Sequence, residues 1–176
     1  VYIIFKEYFM GNKKSAAPTQ KQNKMIQGAM NLHQSGQLEL AEAQYKKILN
    51  LLPTNAAVLT NLGMIKLQMG NLEEGVKIIA RSLISYPNQL RAIDNQAIAL
   101  RALKRYEEAV ESYDSIIAIK PKYAEAHSNR GNNLQDLGRF EEAVASYDRA
   151  IALKSNYAQA YYNRGNALGE LGKFEE

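Results

Sequence analysis

Asparagine stands at Asn61, Asn95, Asn129 and Asn163, at intervals of 34 residues, and Gln27 holds the same place one interval earlier. A primary carboxamide carries a donor and an acceptor together. It can therefore pair with both groups of a peptide backbone without regard to side chain. A column of such groups at fixed spacing suits the holding of an extended segment. The competing reading is that each amide bonds only to a neighbouring repeat, and the sequence leaves both open. Asn132 and Asn166 add a second pair of amides, where earlier units carry Met30, Met64 and Ile98. Arg91 and Arg101 add isolated positive points in the third unit.

No residues are set up for catalysis. The sequence contains no G-x-S-x-G, P-loop, G-x-G-x-x-G or H-E-x-x-H pattern. No cofactor is expected. Cysteine is absent, and His33 and His127 are the only histidines, 94 positions apart, so no metal site is expected. The glutamate pairs Glu73-Glu74, Glu107-Glu108, Glu141-Glu142 and Glu175-Glu176 follow the same 34-residue interval. They fall early in a helix, where carboxylates favour the positive end of the helix dipole.

The net charge of +4 is concentrated at the start. Residues 1–21 carry four lysines against Glu7, whereas residues 22–176 carry 18 basic and 17 acidic groups. A nucleic-acid module carries a basic stripe on its folded part. The near-neutral body argues against nucleic acid as a partner. No apolar run reaches the ~20 residues that a bilayer span needs.

Positioning these residues is the task of a repeat. Pro53, Pro87 and Pro121 share the 34-residue spacing, and Ser155 takes the next place. So do Ala41, Gly75, Ala109 and Ala143, and likewise Tyr45, Ile79, Tyr113 and Tyr147. Gly36, Gly70, Lys104, Gly138 and Gly172 form another column. The register divides the chain into 22–55, 56–89, 90–123, 124–157 and a truncated 158–176. Each unit reads as two helices. In 124–157 the first runs from about Ala124 to Leu137, and Gly138 breaks it in the left-handed conformation. The second runs from about Phe140 to Lys154, with an apolar stripe at Phe140, Ala143, Val144, Tyr147, Ala150 and Ile151. Small residues at Gly63, Ala97, Gly131 and Gly165 let the two helices of a unit approach, and the tyrosine column fills space toward the next unit. One pair cannot bury its apolar face alone, so the units must stack.

Leu59-x2-Leu62-Gly63, Tyr161-x2-Arg164-Gly165-x2-Leu168, Ala109-x3-Tyr113 and Pro121 together resemble the tetratricopeptide repeat motif. The resemblance covers 22–176. Gly75 departs from it, standing for alanine at a cost of up to ~1 kcal/mol of helix stability. Arg130 and Arg164 depart too, standing where leucine is usual. The resemblance implies an all-α, right-handed superhelical solenoid of helix-turn-helix repeats, ten helical segments in all. It places the first helices on the concave surface with the asparagine column facing inward. Similar columns serve the peptide-binding superhelix of protein O-linked N-acetylglucosamine transferases. The carboxylate clamp of chaperone-binding members is not matched, because Thr60 and Met64, or Asp94 and Ile98, stand where its lysine and asparagine should be.

The expected function is a scaffold that binds a protein or peptide segment in its concave groove. The alternative is the substrate-recognition region of a larger protein glycosyltransferase of the O-linked N-acetylglucosamine type, with its catalytic domain outside this chain. The array stops at Glu176 inside a unit, which suggests a fragment. Residues 1–21 lie outside the register and read as a leader. Within it Met10-Gly11-Asn12-Lys13-Lys14-Ser15 fits a myristoylation pattern that would count only if Met10 is the initiator in a eukaryotic cell, and a solvated lysine-rich start is the favoured reading. The apolar start lacks the basic flank and cleavage site of a signal peptide, so a cytoplasmic location is expected. The oligomeric state is left open.

Overall fold

The computed structural model describes residues 17–172. The myristoylation pattern and most of the leader lie outside these residues, as do Glu175, Glu176 and the expected tenth helix. The described residues form nine helices in order: α1 Gln20–Gln34, α2 Leu38–Leu51, α3 Ala56–Gln68, α4 Leu72–Ser85, α5 Leu90–Ala102, α6 Tyr106–Ile119, α7 Ala124–Asp136, α8 Phe140–Leu153 and α9 Ala158–Glu170. They contain no strand. The array therefore starts slightly earlier than the repeat boundary at residue 22. Thr19 caps α1 through the backbone of Gln22, whose side chain bonds back to Thr19, so Gln20 and Lys21 are already helical.

Each first helix ends in the same way. The glycine column supplies φ values of 76°, 80°, 72° and 70° at Gly36, Gly70, Gly138 and Gly172. The residue after the turn then donates back to a carbonyl five residues earlier, as Gln37 does to Leu32, Asn71 to Lys66, Arg105 to Leu100 and Arg139 to Leu134. In the third unit Lys104 takes this role with φ 59°. The second helices stop two residues before Pro53, Pro87 and Pro121, since the residue preceding a proline is driven out of the helical region.

Every interior helix packs chiefly against its two neighbours in sequence, which builds the right-handed superhelical solenoid. Ala41, Ala109, Ala143 and Ala97 are completely buried at the helix crossings. A Cβ on Gly131 would lie 2.6 Å from Cε1 of Tyr147. The tyrosine thus covers the glycine of its own unit, and it also packs with Ala167 of the next. The glutamate pairs at 73–74, 107–108 and 141–142 occupy the first turns of α4, α6 and α8.

Candidate functional site

First helices of successive units touch one another, α1 with α3, α3 with α5 and α7 with α9. Second helices of successive units show no comparable contact among the described residues. In a curved stack the elements on the inner radius crowd together, so the odd-numbered helices line the concave side.

Asn61, Asn95, Asn129 and Asn163 occupy equivalent places on α3, α5, α7 and α9, and all are half-buried. Their partners differ. The Asn61 side chain makes no hydrogen bond among the described residues. Asn95 Nδ2 donates to the Arg91 carbonyl of its own helix at 2.7 Å. Asn163 Nδ2 donates to Asn132 Oδ1 of the preceding unit at 2.7 Å, and its Oδ1 accepts from Gln159 at 2.8 Å. Asn129 and Asp94 are polar neighbours of the Tyr113 hydroxyl. Burial, together with the neighbouring Asp94, pushes the Tyr113 hydroxyl up from its usual range. Burial likewise raises Asp94, and the bond from Tyr113 works against that rise.

The tyrosine column thus takes up part of the amide chemistry, a coupling invisible in the spacing alone. Tyr147 donates toward Asn132 Oδ1 at 2.9 Å and Gln135 Oε1 at 3.0 Å. Where Ile79 replaces tyrosine, Asn95 turns back onto its own helix. Tyr45 is the exception, with its hydroxyl buried, unpartnered among the described residues and pushed up to about 12 by burial.

Arg101 is not an isolated positive point. Its Nε bonds Asp136 Oδ2 of the next unit at 2.6 Å, which joins α5 to α7. His33 on α1 meets Gln68 on α3 at 3.0 Å in the equivalent position. Arg91 is exposed at the start of α5 and makes no ion pair among the described residues. Asn166 is exposed on α9. The arginines that replace leucine have a similar use: Arg130 and Arg164 each reach an aspartate of the preceding unit's second helix, Asp114 and Asp148, at 2.6 Å.

Asn129, Asn132 and Arg101 come together around an open groove of about 520 Å³ between the third and fourth units. Ile98, Ala102 and Tyr106 form its other walls. Asn133 also lines it, a residue the repeat reading passes over. The available signal was its column, which holds Ile65, Ala99 and Ala167 in three other units. No group of acidic or histidine side chains among the described residues is arranged to hold a metal. No described helix is long and apolar enough to cross a membrane.

Comparison with known proteins agrees with this architecture. A family profile described as TPR repeat matches residues 97–138 and 131–172, and one described as Tetratricopeptide repeat matches residues 32–96. No curated protein matches. Among solved structures, one of MamA is 20% identical with a TM-score of 0.82, covering 88% of this chain and 84% of that one. MamA from Desulfovibrio magneticus RS-1 is 17% identical with a TM-score of 0.82, covering 90% of each chain. A tetratricopeptide repeat protein from Parabacteroides merdae is 23% identical with a TM-score of 0.81, covering 88% of this chain and 61% of its own. At such identities the likeness carries the fold, and the profile matches, which run without a break from residue 32 to residue 172, carry the family. The chain belongs to the tetratricopeptide repeat family.

Proposed function

We propose that this chain is a protein-interaction scaffold whose concave face holds an extended peptide segment. The observation that supports this reading best is the half-buried carboxamide column, Asn61, Asn95, Asn129 and Asn163, running along the first helices. Its amides remain accessible on a face that also opens into a groove. Asn132 and Asn166 extend the polar surface toward α9. Arg91 is placed to meet an acidic side chain, while Arg101, committed to Asp136, shapes the groove wall. The near-neutral repeat array favours a protein partner over nucleic acid.

Titration calorimetry of a panel of extended peptides against Asn95→Ala and Asn129→Ala tests this. Each lost neutral hydrogen bond should cost about 0.5–1.5 kcal/mol, by a similar amount for peptides of different sequence. Arg91→Ala should weaken only acidic peptides, and that effect should fade with salt. If binding by the asparagine variants falls only in step with their folded fraction, the column is structural and the reading fails.

A further inference from the structure

We propose that the groove between the third and fourth units is a subsite for a carboxamide side chain, glutamine or asparagine, of the bound segment. This deepens the concave-face reading and rests on it. Asn133 is 1% exposed, yet it stands in a column that is apolar in three of the other units. Its Nδ2 donates to the Asn129 carbonyl at 2.7 Å, which sets the orientation of the amide. Its Oδ1 is left buried with no donor among the described residues. Buried acceptors are almost always paired, and leaving one unpaired is costly. Asn133 lines the groove, so a bound group entering there can supply the missing donor. Ile98, 54% exposed, lines the same groove.

The neighbouring Asn132 offers the opposite polarity. Its Oδ1 already accepts from Tyr147 and Asn163, which leaves Nδ2 as an unengaged donor among the described residues. The groove therefore presents one acceptor and one donor to a ligand. Its charges are spent, because Arg101 and Asp136 neutralise each other at 2.6 Å. This disfavours a charged glutamate or lysine. Ile98 and Ala102 offer apolar surface for a methylene stem. A carboxamide presents a separate donor and acceptor on an aliphatic stem without charge. The volume of about 520 Å³ leaves room for such a side chain and the backbone beside it.

The test uses the full 176-residue chain, immobilised, and a positional library of short peptides capped at both ends. Each pool has glutamine, asparagine, methionine, glutamate or lysine fixed at one position and random residues elsewhere. The wild type should retain a glutamine or asparagine pool about three- to tenfold better than the near-isosteric methionine pool, as expected for one or two neutral hydrogen bonds. It should also retain that pool better than the glutamate and lysine pools. Asn133→Ala introduces the residue found at Ala99 and Ala167 in the same column. It should abolish the preference, keep general peptide binding, and leave the melting temperature equal or higher, because an orphaned acceptor has been removed. Equal retention of all pools by the wild type would overturn the subsite while leaving the groove reading in place. Retention of no pool would overturn both. A lowered melting temperature in Asn133→Ala with the preference intact would show a structural asparagine and overturn the proposal.

Discussion

Lys66 lies 6% exposed in a column that is otherwise Leu32, Leu100, Leu134 and Leu168. Its ammonium meets Glu42 of the first unit at 2.7 Å and Glu74 of its own at 3.0 Å. Glu42 also receives Lys46 at 2.6 Å. Hydrogen bonds from Lys46 and Lys66 hold the Glu42 carboxyl below the usual carboxylate range. A group with a depressed folded value stabilises above its unfolded value, about 4.3 for glutamate, and loses that contribution as pH falls through the folded value. Glu42→Gln should therefore flatten the fall in melting temperature below about pH 4 relative to the wild type. Thermal melts across an acid pH series check this; parallel curves would show that Glu42 titrates alike in both states. Lys104 gives a second test at this scale. It occupies, at φ 59°, a turn that glycine makes in the other units. Lys104→Gly should stabilise the array by about 0.5–1 kcal/mol, the left-handed strain relieved outweighing the entropy glycine loses. Denaturant midpoints decide it, and a lower midpoint would mean that the lysine side chain makes a compensating contact.

At the scale of the helix pair, α3 and α4 pack together the most extensively in the described array. Gly63 and Gly75 face each other there. A Cβ on Gly75 would collide with the Leu67 side chain and approach the Gly63 carbonyl to 3.0 Å. Propensity alone marks Gly75 as a weak point that alanine would repair by up to ~1 kcal/mol. The packing reverses that sign. Gly75→Ala should destabilise by about 1 kcal/mol or more, because the cost of overpacking exceeds the propensity gain. An unchanged or raised denaturation midpoint would show that α4 can slide away from α3 freely. The helix boundaries, the crossings and the turns were legible in the sequence because each depends on a local residue type recurring every 34 positions. The role of Gly75 was not, because it depends on which particular side chains meet at one crossing.

For the whole molecule, stacking joins four separate clusters of buried side chains, each drawing on more than one unit, into one elongated array. The curvature that brings the first helices together also aligns the asparagines, so the column itself was legible from spacing. What escaped was its wiring: the Tyr113 and Tyr147 hydroxyls, the Arg101–Asp136 pair and the buried Asn133 all arise from contacts between units. The central claim is that the concave face reads peptide backbone through carboxamides. The most direct measurement compares a bound peptide with the same peptide N-methylated at alternate bonds, by calorimetry against the wild type and Asn95→Ala. The account predicts that methylation on the amides facing the column weakens binding about fivefold or more, since two or more hydrogen bonds are lost, and that Asn95→Ala makes part of this penalty vanish. Undiminished binding of both methylated registers would contradict it.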